Sequence, residues 1–188
     1  MLQCSSTKKK WKRVLEMSEA MSDAMSDANI NESGMSFIAD NAFYIERSPQ
    51  YAKIGKGVKS VELARVIDTR LMFIEAKTTF PNPNNANCKE RYDEEISNIR
   101  DKFVHSLNLY SCIAVGIAEE HFPIDFKPAE NMSLHFILVI KDHKPGWCRS
   151  VKNALMPIIP SYIKTIWNPT VLVMNHNTAL EQKLSAYP

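Results

Sequence analysis

Apolar and polar positions change period several times along the chain, and each change marks an element. Between residues 9 and 28, Trp11, Val14, Leu15, Met21 and Met25 recur near helical spacing. The repeat AMSDAMSDA drifts only slowly around a 3.6-residue helix, which predicts an amphipathic helix with a methionine packing stripe. Turn residues from Asn29 to Gly34 end it. AFYIERS, aromatic and β-branched and stopped by Ser48-Pro49, predicts a strand, and the basic stretch QYAKIGKGVK a loop. SVELARVI and LMFIEAK flank Asp68-Thr69-Arg70 and read as the two strands of a hairpin, after which Pro81 and Pro83 enforce a loop.

From 90 to 110, Ile96, Ile99, Phe103 and Leu107 recur three and four apart, while Glu94, Glu95, Arg100, Asp101 and Lys102 fall to the other surface. This predicts a long helix with one face on the sheet. SCIAVGIA, 111–118, extends that helix or forms a strand; periodicity does not choose. SLHFILVI, 133–140, has the unbroken apolar character of a strand covered on both faces. A helix bent or broken by Pro157 and Pro160 follows over 147–167, then a buried strand, TVLVMN (170–175), and a short helix, TALEQKL, capped by Thr178.

The order helix, three strands, helix, strand, helix, strand predicts an α/β chain whose mixed α+β sheet carries helices on both faces. At 188 residues it suits one domain, able to bury roughly 70% of its unfolded surface. A net charge of +2 says little about partners, but lysine clusters locally, in Lys8-Lys9-Lys10 with Lys12 and Arg13, and as Lys53, Lys56 and Lys59. Cys4, Cys88, Cys112 and Cys148 form no CxxC pair, so neither a zinc site nor a disulfide framework is expected. Without an apolar run of signal-peptide or membrane-spanning length, the expectation is a cytoplasmic protein with no membrane association.

The hairpin raises a question of chemistry, because an apolar strand, Leu71-Met72-Phe73-Ile74, ends on Glu75 and Lys77. With an even loop centred between Asp68 and Thr69, Glu62 lies directly across from Glu75, and alternation puts Lys77 on the same face. Like charges facing each other across a sheet are destabilising. Lys77 offsets one; a divalent cation between Glu62 and Glu75 would neutralise the rest and suits hard oxygen ligands. Glu46, near the end of the preceding predicted strand, could complete the acidic cluster. The plainer reading is that Glu75 and Lys77 lie just past the buried part of the strand, with Glu62 in water.

On these residues the chain resembles the PD-(D/E)xK (restriction-endonuclease-like) nuclease superfamily, whose core runs helix, three strands, helix, strand. FIEAK takes the place of the third-strand Glu-x-Lys, and Glu62 in SVELARVI that of the second-strand acid. FIEAKTTFPNP with IERSPQYAKIGKGVKSVE is also similar to uncharacterised bacterial members. The resemblance covers a core of about 35–140, leaving the helix at 9–28 before it and an α/β extension at 146–188 after it, all in one domain, 1–188. It departs from the family in having Val61-Glu62 where an Asp, often after Pro, is usual.

The resemblance implies that Glu62 and Glu75 hold Mg2+ (or Mn2+), which polarises a phosphodiester and activates water, while Lys77 orients that water or stabilises developing charge. Glu46 is carried as a further acidic residue, and Lys53, Lys56 and Lys59 as contacts to backbone phosphates of nucleic acid, DNA ahead of RNA. A homodimer is left open. The alternative is a catalytically inactive module of the same fold that binds nucleic acid or a protein partner. Other hydrolases lack support: IGKGVKS has no phosphate-loop spacing, no GxSxG occurs, the five histidines show no HxxxH or HxH, and nothing places a base beside Cys88.

Overall fold

The computed structural model describes residues 29–186 apart from 55, 56, 119, 120, 125 and 129. The helix expected over 9–28, the basic run 8–13 and Lys56 lie outside the described residues. Eight strands and five α-helices are formed among the rest: β1 (Ile30–Glu32), β2 (Met35–Phe37), β3 (Ala42–Phe43), α1 (Pro49–Ile54), β4 (Leu63–Ile67), β5 (Arg70–Lys77), α2 (Lys89–Ala114), β6 (Ser133–Ile140), α3 (Pro145–Ile158), α4 (Ser161–Trp167), β7 (Thr170–Asn175), α5 (His176–Glu181) and β8 (Ser185–Ala186).

The main sheet has the order β3-β4-β5-β6-β7. Its first three strands are antiparallel, whereas β5, β6 and β7 run parallel and are joined through helices. Parallel neighbours need such crossovers, and both faces of a parallel strand must then be covered. β6 accordingly buries Leu134 and every residue from Phe136 to Ile140.

One face packs under α2, α3 and α4, in a core that includes Leu71 and Phe73 of β5, Ile99 and Phe103 of α2, Phe136 of β6, and Val151, Leu155 and Ile163. Phe103 stacks on Phe136 with ring centroids 4.7 Å apart. The opposite face, with Leu63, Met72, Ile74, Ile137 and Val139, is covered by the antiparallel sheet β1-β2-β8 and by Ala179 of α5. A second sheet, with one short helix, stands where helices were expected. The hairpin that carries it was missed because NESGMS reads as a loop; Ser33 and Gly34, at φ 52° and 69°, make a two-residue turn with both central residues left-handed, which lets strands as short as three residues pair.

Several local expectations are corrected. AFYIERS is a strand only at Ala42–Phe43 and then a 3-10 turn, Ile45–Arg47, because Ile45 leaves the ladder to bury itself in the core. Residues 49–54 form α1, with Pro49 opening it and the Ser48 hydroxyl accepting from Tyr51 N at 3.0 Å. α2 runs on to Ala114, so the first half of SCIAVGIA is helix. The expected break falls at Ile159-Pro160, between α3 and α4, while Pro157 lies within α3. α5 is capped by Asn175, whose side chain accepts from Thr178 N at 3.0 Å, and not by Thr178.

Candidate charged site at the end of the hairpin

β4 and β5 pair with Leu63 opposite Ile74 and Ile67 opposite Arg70, and Asp68-Thr69 form the tip, with Asp68 left-handed at φ 53°. This is the even register, and continued by one residue it sets Glu62 against Glu75. Alternation along β5 then aims Leu71, Phe73, Glu75 and Lys77 at α2. Glu75 has no exposed surface, and Glu62 is 7% exposed.

α2 meets these carboxylates with Lys102. Its Nζ donates to Glu75 Oε2 at 2.9 Å, stands 2.8 Å from Oε1 at an angle outside hydrogen-bonding geometry, and lies 3.8 Å from Glu62 Oε1. A turn or two toward the helix N-terminus, Glu95 takes Lys77 at 3.4 Å. The two charges that close β5 are therefore both answered by α2, each by a group that the apolar periodicity assigned to its outer surface. The sign that locates Lys102 is its place between Ile99 and Phe103 at the margin of the buried stripe, where a lysine stem packs on the core while its head reaches a polar pocket. Ser106, on the same side of the helix and fully buried, accepts from Val61 N at 2.8 Å and pins the chain just before Glu62.

Burial raises the Glu75 pKa to about 7, against the lowering by Lys102 and Lys77. Glu62 is raised further, by burial first, then by a carboxyl hydrogen bond with Glu46 and by the charge of Glu75. Glu46 thus does approach the cluster, although from the 3-10 turn and not from a strand. The resting arrangement is an ion pair, Lys102 with Glu75, beside a Glu62 whose burial favours its neutral form. Lys102 itself is raised, burial being outweighed by its acidic neighbours.

The donor chemistry fits a divalent cation: Glu62 Oε2 and Glu75 Oε1 are buried oxygens without a hydrogen-bond partner. In this arrangement Lys102 Nζ takes the place between the carboxylates, so a cation would have to displace it, and among the described residues no three His, Cys, Asp or Glu side chains converge as a metal-binding group.

The basic stretch also serves the fold. Lys59 is tied to α2, its Nζ donating to Asn98 at 2.6 Å and Asp101 at 3.2 Å, while its backbone N donates to His105 Nδ1 at 3.0 Å. It fastens the segment before β4 to the helix. Lys53 sits in the last turn of α1 and is exposed. No described helix is long and apolar enough to cross a membrane. No protein-family model, curated protein or solved structure matches the chain.

Proposed function

We propose that the chain is a metal-dependent, nuclease-like protein that hydrolyses phosphodiester bonds of nucleic acid on a restriction-endonuclease-like core. The observation that carries this reading is Glu75: a carboxylate with no exposed surface, at the end of an apolar strand, facing Glu62 and within reach of lysines from two elements. Burying such a charge costs several kcal/mol and is retained where chemistry uses it. Three antiparallel strands ending in Glu-x-Lys, a long helix and a parallel strand beside the third, here β3 to β6, agree with the resemblance.

Glu62 and Glu75, with Glu46 beside them, would hold Mg2+ or Mn2+, which would polarise the phosphoryl group and supply a hydroxide nucleophile. Lys77, partly exposed at the mouth, stabilises charge that builds on the phosphate. Lys102 balances the buried carboxylates until a cation takes that part, and then frees an ammonium within reach of the same site.

A second reading has its own support. Because Lys102 already satisfies Glu75, the cluster is self-sufficient, as in a catalytically inactive module that binds nucleic acid or a protein partner. Incubation of wild type and Glu75→Ala with single- and double-stranded DNA and RNA, in Mg2+, Mn2+ or chelator, separates the two. Metal-dependent cleavage lost in the variant is expected. Equal inactivity on every substrate, with unchanged binding of one of them in chelator, refutes the hydrolytic reading in favour of the module.

A further inference from the structure

Beyond the carboxyl end of β5, with Lys77 on its wall, lies an open cleft of about 390 Å3, lined by Ser33, Lys77, Thr78, Thr79, Arg91 and Glu95, with Phe80 and Pro81 at one side. Open sheets with helix crossovers place ligands at this end of their strands. The walls are built firmly. Phe80 is buried and packs edge-on against Tyr92 at 5.8 Å, which joins the loop after β5 to the first turn of α2 and holds the neighbouring Arg91 at the rim. On the other side the Ser33 hydroxyl donates to Ala76 O at 3.0 Å and the Thr78 hydroxyl to Ser33 O at 3.2 Å, which fastens the β1–β2 turn to β5.

With those two hydroxyl protons engaged, the side-chain donors left among the lining residues are the Thr79 hydroxyl, the Lys77 ammonium beyond its contact with Glu95, and the whole Arg91 guanidinium. Arg91 has no hydrogen bond or ion pair among the described residues, although Asp93, Glu94 and Glu95 are close in sequence. Asp93 is taken by Lys89 and Glu95 by Lys77. An unpaired guanidinium at a polar cleft, with the positive first turn of a 26-residue helix behind it, suits a tetrahedral oxyanion and its paired oxygens.

We infer that this cleft is a phosphate subsite for a polynucleotide backbone, with Arg91 as its principal donor and Thr79 as a second. The inference rests on the proposed nucleic-acid substrate and deepens it: the subsite holds the phosphate next to the one at Glu75 and Lys77, so the strand is positioned from the α2 side and the basic loop at 53–59 is not required for that contact.

The test is binding of labelled single- and double-stranded oligonucleotides in chelator over a salt series, by wild type, Arg91→Ala, Arg91→Glu and Lys127→Ala. Lys127 is exposed and its backbone N bonds Asn41, at the opposite end of the sheet, so it controls for general charge. Arg91→Ala is expected to weaken binding about tenfold and to lower the slope of log K against log salt by about one, Arg91→Glu to weaken it further, and Lys127→Ala to do neither. All variants should melt as wild type does, since Arg91 makes no hydrogen bond or ion pair among the described residues. Wild type and both Arg91 variants binding with the same affinity and slope overturns the subsite and leaves the nuclease reading standing. Failure of wild type to bind any oligonucleotide at low salt overturns both.

Discussion

Replacing Lys102 by Met tests the charge arrangement directly, because the side-chain volume is kept while the ammonium is lost. Glu75 is fully buried and its nearest compensating charge is Lys102, so the variant leaves a carboxylate facing Glu62 and Glu46 with only Lys77 to offset it. Breaking one side of a buried pair costs about 3–5 kcal/mol when the remaining charge stays ionised, but here Glu75 can take up a proton instead, which at pH 8, one unit above its pKa of about 7, caps the loss at about 1.4 kcal/mol. For a chain of this size that lowers Tm by roughly 3–6 °C near pH 8. The loss should shrink at pH 5. With Lys102 present, the Glu75 pKa is already about 7, and removing the ammonium raises it further, so at pH 5 the carboxyl is neutral and leaves no orphan charge. Adding Glu75→Gln to Lys102→Met should restore most of the stability at pH 8, since neutral replacement of a buried pair is often tolerated. Mn2+ should raise the Tm of Lys102→Met more than that of wild type, by about 2.7 kcal/mol of stability at one hundred times Kd, because the cation no longer competes with an ammonium. Thermal melts at pH 5 and 8, with chelator and with Mn2+, read all of this. A Lys102→Met melt equal to wild type at pH 8 would refute the charge argument, and equal Mn2+ effects on the two would refute the competition.

Three further outcomes follow from the same geometry. The folded pKa values of Glu62 and Glu75 lie above the ordinary 4.5, so the folded state binds more protons than the unfolded one and stability falls as pH rises from about 5 through about 7 and beyond; Glu75→Gln should flatten this decline in a series of urea melts. Lys77→Ala should change stability by less than about 1 kcal/mol, since its contact with Glu95 is partly exposed, yet lower the cleavage rate while metal still binds; a variant that cleaves at the wild-type rate removes Lys77 from the chemistry. Lys59→Ala should loosen the segment before β4, seen as faster amide exchange at Lys59 and Val61, and leave the salt dependence of nucleic-acid binding unchanged; a lowered slope would mean that Lys59 touches phosphate after all.

The hairpin was legible as a short polar tip between two strand-like runs, and its register followed from taking an even loop, which the Leu63–Ile74 pairing matches. The parallel strands at 133–140 and 170–175 were legible too, since burial on both faces leaves unbroken apolar runs. Lys102 was not, because helical periodicity ranks whole residues by polarity, and a lysine at the stripe margin is apolar along its stem and charged at its tip. Glu46 was placed in the right neighbourhood by the wrong element: aromatic and β-branched content predicts extended chain, but Ile45 turning into the core outweighs it. The small sheet escaped because its strands are two or three residues long, too short for any alternation to register.

That small sheet joins Phe37 to Ser185 across nearly the whole chain, and Arg65 reaches under it to Lys183 O at 3.1 Å. The charged site, in contrast, uses β4, β5 and α2, which are close in sequence. Closing the longer loop costs more entropy for fewer contacts, so β2–β8 is the last seam to form and the first to open. Amide exchange should therefore be fast at Ile38, whose N donates to Leu184 O at 3.4 Å, while β5 stays protected. A ligand that entered through that seam would meet Leu63, Ile74 and Ile137 and find the carboxylates on the other face of the sheet, with the β1–β2 turn, bonded through Ser33 to Ala76 and Thr78, tying the two sides together.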